Sequence, residues 1–77
     1  MVRAKEIAPG IAVDPGVCSG KPVVKGTRVP VDVVLEQLSL GAAVEEVAEE
    51  YGLTRDDVLA VLGYAHEIVS SNPNQAV

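Results

Sequence analysis

Cys18 and His66 are the single thiol and the single imidazole in the 77-residue chain. They are the one pairing that could supply a thiolate nucleophile with its base. Such a pair also needs a third group to orient the base, and no residue at a recognisable spacing provides it. A lone cysteine in a turn-rich segment is more often structural. Adjacent carboxylates occur at Glu45-Glu46 and Asp56-Asp57, but they line expected helix faces and helix starts and do not form a general acid–base pair. One cysteine and one histidine cannot close a zinc site, and one cysteine cannot form an internal disulfide. The reading is of no catalytic residue, no metal and no cofactor, in a protein that binds and does not catalyse.

The second candidate for chemistry is GKPVVKGTRVPV, residues 20–31. Two glycines, two lysines, a threonine and an arginine suggest a phosphate-cradling loop. A P-loop places four residues between its glycines and a lysine directly after the second. Here five residues separate Gly20 from Gly26, Thr27 follows Gly26, and Pro22 removes a backbone N–H from the supposed cradle. The spacing predicts instead a short β run at Val23-Val24, a turn at Lys25-Gly26 and a second β run at Thr27–Val29. Lys21, Lys25, Thr27 and Arg28 are then the exposed residues available for contact with a partner or a nucleic acid. Arg28 has two readings: a fork onto a carboxylate or phosphate of a partner, or a clamp that fixes the hairpin to the acidic helices.

These residues need elements to position them. At 77 residues, one domain is expected. A chain this short buries only about 60% of its unfolded surface. With no Trp or Phe, the core must be built from Val, Leu, Ile and Ala. A second copy or a partner protein is an expected source of further burial, so a homodimer is the reading. No apolar run from Met1 has signal-peptide length and no segment approaches a membrane span, so a cytoplasmic protein is expected.

The net charge of −5 conceals a division. Residues 1–30 carry five cations against two acids, a balance of +3, while residues 31–77 carry one cation against nine acids, a balance of −8. Turn signals at Pro9-Gly10 and Asp14-Pro15-Gly16 flank Ile11–Val13, a short strand candidate. From Pro30 the apolar period becomes helical. Val31, Val34, Leu35 and Leu38 share one face, and Gly41 is the stop. Val44, Val47, Ala48 and Tyr51 form the stripe of a second helix whose other side holds Glu45, Glu46, Glu49 and Glu50; Gly52 ends it. Thr54 caps a third helix, with Asp57 completing a near capping box and Val58, Val61, Leu62, Ala65, Ile68 and Val69 forming its core face. The expected fold is therefore a small α+β protein, mainly α. Short strands or a hairpin lead into a three-helix, helix-turn-helix-like bundle. It is a single domain over residues 1–69, with the β part at about 7–29, the helical part at about 30–69 and a flexible tail at 70–77.

Residues 44–63 fit a helix-turn-helix, with Ala48, Gly52, Val58 and Val61 at the crossing and the turn. DNA binding by that unit would need cations for phosphates and side chains for base edges. Thr54 and Arg55 could serve, but Asp56 and Asp57 would face phosphates, and four glutamates lie on the preceding helix. Docking onto another protein fits better. On the third helix Leu59 and Gly63 stack at i and i+4, with Tyr64 and His66 at the margins. That face is to be covered by a partner helix or by a β segment of the same chain.

The run from VDPGVCSGKPVVKGTRVPV through EEVAEEYGLTRDDVLAVLGYA resembles the family known as domain of unknown function (DUF) number four hundred and thirty-three. The likeness extends over about residues 11–69. GKPVVKGTRVPV carries it most specifically, and Asp14-Pro15 and Tyr64-Ala65 match as well. Ala43 departs from the family, which often has Ser or Thr there to cap the second helix. The resemblance implies a β-containing N-terminal part ahead of a helix-turn-helix-like bundle. It also implies a role as a VapB-type antitoxin-like module. Its partner would be a PIN-like ribonuclease toxin encoded nearby, with operator DNA as a further partner if the protein represses its own operon. A stand-alone DNA-binding regulator is the other reading.

Overall fold

The computed structural model describes residues 4–71. Three strands, β1 (Lys5–Ala8), β2 (Ile11–Val13) and β3 (Val23–Val24), form an antiparallel sheet in the order β1-β2-β3. Three helices follow: α1 (Val31–Ser39), α2 (Val44–Tyr51) and α3 (Arg55–Ser70). The expected small α+β architecture is present. β1 starts at Lys5, ahead of the expected boundary. α3 continues to Ser70, and Ser71 caps it by donating its hydroxyl to the Glu67 carbonyl at 2.8 Å. The rest of the tail, 72–77, lies outside the described residues.

The β1–β2 connection is Pro9-Gly10. Proline fixes its own φ and Gly10 takes φ +78°, a conformation L side chains avoid. An ion pair braces the sheet from outside: Lys25 Nζ lies 3.0 Å from Glu6 Oε1, and Glu6 Oε2 accepts the Gly10 N–H at 3.0 Å. The Gly10 N–H first, and then the Lys25 ammonium, hold the Glu6 carboxyl below its ordinary value near 4.5. A carboxylate depressed in the folded state adds stability above its unfolded value, and that stability is lost as the pH falls through the folded one. Glu6→Gln should therefore melt below wild type at neutral pH. The gap should close as the pH is lowered past the ordinary carboxyl value and on through the depressed one of the folded state. Thermal melts at neutral pH and below the depressed value check this, and an equal gap at both would assign the effect to packing.

The second expected β run is not a strand. Val23 bridges Pro30, and the Val24 N–H donates to the Val29 carbonyl at 2.9 Å. Between them Thr27 holds the loop itself: its hydroxyl donates to the Val24 carbonyl at 2.8 Å and accepts the Val29 N–H at 3.0 Å. A β-branched residue that bonds its own loop in this way leaves the ladder.

α1 ends at Gly41 (φ +101°) and α2 at Gly52 (φ +69°). At the head of α2 the Ala43 N–H donates to Glu46 Oε1 at 2.8 Å, but the Ala43 methyl cannot return a bond, so only half a capping box forms. α3 has the full box. Asp57 N–H donates to Thr54 Oγ1 and Thr54 N–H to Asp57 Oδ2, each at 3.0 Å.

The core joins Ile11 and Val24 of the sheet to Val31 and Val34 of α1, Val47 and Ala48 of α2, Leu53 of the turn, and Val58 and Val61 of α3. The expected core face of α3 is only partly correct. Val58 and Val61 are fully buried, but Leu62, Ile68 and Val69 are 38%, 52% and 52% exposed. Leu62, the eighth of the sixteen residues of α3, is exposed because it lies on the outward side with Leu59; for Ile68 and Val69 the reason is length. Sixteen residues at about 1.5 Å each make α3 about 24 Å long, nearly twice α1 or α2. Its C-terminal turns run past the elements that would cover them.

Candidate functional site

The cations singled out by sequence are mostly engaged. Lys25 is held by Glu6, Lys21 Nζ lies 3.8 Å from Asp32 Oδ2, and Arg55 Nε lies 3.2 Å from Glu45 Oε2. Exposed pairs of this kind are each worth under about 1 kcal/mol, yet they cancel the local positive charge. Arg28 is exposed and forms no ion pair among the described residues. It does not clamp the hairpin to the helices, as one of its two readings expected. Lys21 makes that link, through Asp32 at the start of α1. What Arg28 contributes to the fold is its carbonyl, which accepts from Cys18 Sγ at 3.5 Å.

Thr27 and Thr54, two further candidates, are absorbed by the loop and by the α3 cap described above. Cys18 begins a single 3-10 turn, Cys18–Gly20, in which Cys18 and Ser19 have φ +51° and +56°. His66 is exposed on α3, with Nε2 3.2 Å from Ser70 Oγ. Each of the two has its own partner, and neither is bonded to the other. Among the described residues no group of three or more His, Cys, Asp or Glu side chains is placed to hold a metal ion, and no helix is long and apolar enough to cross a membrane.

The expected docking face of α3, Leu59 and Gly63 with Tyr64 and His66 at its margins, borders two different surfaces. Leu59 and His66 lie on an exposed row with Leu62 and Val69, at i, i+3, i+7 and i+10. Arg55 stands at the head of that row, tied to Glu45, so the row abuts the acidic face of α2. Glu45, Glu46, Glu49 and Glu50 are all exposed there. Gly63 stands beside Leu59 at i+4, on the border between the row and a groove, and Tyr64 turns away from the row into that groove. With Ala60 and Glu67 they form one wall of this groove of about 420 Å³, whose other wall is Ile7, Ala8 and Pro9. Sequence reasoning missed Ile7, which is 41% exposed. The signal available for it is a lone aliphatic residue just before a Pro-Gly turn. The expected cover by a β segment is thus half supplied: β1 rims the groove but does not fill it.

A three-stranded antiparallel sheet followed by a helix-turn-helix-like bundle, with its third helix left open on two sides, defines a small α+β protein whose distinctive surfaces are apolar and acidic. The family model described as "Protein of unknown function (DUF433)" matches residues 11–65, and the chain belongs to that family. Among the solved structures that resemble it are two of known source. One is Rv2018 from Mycobacterium tuberculosis, 38% identical with a TM-score of 0.63; the match covers 68% of this chain and 24% of that one. The other is a DUF433 member protein from Anabaena variabilis ATCC 29413, 34% identical with a TM-score of 0.69; it covers 86% of this chain and 62% of that one. The chain therefore spans less than two thirds of either protein. No curated protein matches it.

Proposed function

We propose that the chain is an antitoxin-like binding module that occupies and silences a PIN-like ribonuclease encoded beside it, acting by binding and not by catalysis. The observation that carries this reading is the exposed row Leu59, Leu62, His66 and Val69 set against the acidic face of α2. An enzyme that handles RNA presents cations to the phosphate backbone. A rigid pair of helices carrying four exposed glutamates competes for such a surface, and an adjacent apolar row supplies the desolvated centre that tight protein–protein contacts need. The resemblance to antitoxin-like members of the family supplies the class of partner.

Co-expression with the product of the adjacent reading frame tests this. A stoichiometric complex with suppressed ribonuclease activity is expected, and Leu59→Lys should weaken it by about tenfold or more. Equal toxicity with and without this protein would overturn the reading.

A second reading, a stand-alone DNA-binding regulator, draws on one specific observation: residues 44–63 do form a helix-turn-helix-like unit, with Gly52 in the turn. The head of α3 disfavours groove reading by that unit, because Arg55 is held by Glu45 and is followed by Asp56 and Asp57. Operator contact would fall instead to Lys21, Lys25 and Arg28. Binding to promoter DNA in the absence of any complex would favour this alternative.

A further inference from the structure

We propose that a second copy of this chain completes the groove between β1 and α3, the two copies pairing edge to edge through β1. This goes beyond the function proposed above and uses a different side of α3.

β1 is an edge strand, and among the described residues nothing pairs with its outer side. The sheet lies over α3, closely enough that a Cβ on Gly10 would come 2.9 Å from that of Ala60. The flank of α3 from Ala60 through Gly63 to Glu67 faces Ile7, Ala8 and Pro9 across the groove of about 420 Å³, which nothing among the described residues fills. That space is where a fourth strand would run. An unpaired edge beside an apolar trough is the arrangement that strand addition uses, with main-chain bonds for affinity and alternate side chains for fit.

The occupant must bring an extended backbone, an aliphatic side chain for the trough and a cation for Glu67, which is its single charged residue and has no ion pair among the described residues. β1 carries all three. Ile7 is exposed at the rim. Lys5 is exposed, has no ion pair among the described residues, and pairs with Val13, which puts it on the same side of the sheet as the core residue Ile11. An antiparallel β1–β1 pairing about a two-fold axis lays Lys5 and Ile7 of each copy over the groove of the other, and the contact is self-complementary. Gly63 keeps the floor low, since no atom of its own chain lies within 4 Å of a Cβ built there.

Sedimentation of the purified chain over a wide concentration range, with three variants, tests this. Wild type should dimerise. Gly63→Gln places a side chain in the groove from a position whose Cβ has open space. It should keep the helical spectrum and melting temperature of a folded protein while shifting it to monomer. Lys5→Glu should weaken the dimer roughly fivefold, the combined scale of the two exposed ion pairs that the two-fold axis generates, and Lys5→Glu combined with Glu67→Lys should restore it. Leu62→Lys, on the other side of α3, should leave the dimer intact. A wild type that stays monomeric throughout overturns the proposal. So does a dimer that ignores Gly63→Gln and the charge exchange, or one that Leu62→Lys abolishes.

Discussion

Ile11→Ala should remove about 2–5 kcal/mol of folding free energy, the range for deleting a large aliphatic side chain from a packed core. Ile11 is completely buried on the central strand and joins the sheet to residues from all three helices. A chain of this length has in total only about 4–12 kcal/mol of stability. The substitution therefore takes a large fraction of it and, at the upper end, leaves the protein partly unfolded in buffer. Urea denaturation should show a midpoint far below wild type. Leu40→Ala is the control: Leu40 is 74% exposed, so its loss should shift the midpoint little. If Ile11→Ala moved the midpoint no more than Leu40→Ala, the sheet would not be the seat of the core.

Gly10→Ala should be comparably severe for a different reason. Two costs coincide at that position. The first is conformational, about 1–2 kcal/mol for placing an L side chain at positive φ. The second is steric: the new Cβ would lie 2.9 Å from the Ala60 Cβ, and forcing an atom into a packed contact costs about 1–3 kcal/mol. Gly52→Ala separates the two, because Gly52 has φ +69° but no atom within 4 Å of its would-be Cβ; it should show the conformational cost alone. Ala60→Gly in the Gly10→Ala background should recover the steric part only. Denaturation of the four chains in that cycle measures the coupling. A coupling of zero would mean that the turn and α3 do not touch in solution.

These two positions also show what the sequence could and could not convey. The Pro9-Gly10 turn, strand β2, the glycine stops of α1 and α2 and the Thr54–Asp57 box are legible because each is decided within four residues by backbone sterics or a local hydrogen bond. The apolar stripes of α1 and α2 are legible because those helices are short and fully opposed. α3 is where periodicity misleads. A stripe tells which side of a helix is apolar, not how many neighbours reach it, so Leu62 reads as core although it lies at the outward margin of the stripe, and Ile68 and Val69 although α1 and α2 are too short to cover them. The face of Leu59 and Gly63 does not by itself reveal the groove beside it. The approach of β1 takes Gly63 and Tyr64 to the groove, and that approach depends on Gly10 meeting Ala60, fifty residues apart. Thr27–Val29 reads as a strand from its β-branched residues, yet the Thr27 hydroxyl is spent on its own loop. Of the two readings of Arg28 the clamp fails, because charge alone does not say which of several cations stands nearest an acid, and Lys21 is the one beside Asp32.

The meeting of Gly10 with Ala60 also sets an order in time. Neighbours in the chain are neighbours in space for most of this fold: β1 with β2, β2 with β3, α1 with α2 and α2 with α3. Each of those pairings can form as soon as its two members exist, with little entropy spent on closing a loop. The exceptions both involve α3: it packs on α1 across α2, and it closes onto β2 and β3, which joins the first part of the chain to the last. During synthesis the sheet must wait for α3 to emerge, with Ile11 and Val24 facing water. The final helix is therefore the step that turns a string of local contacts into a cooperative molecule.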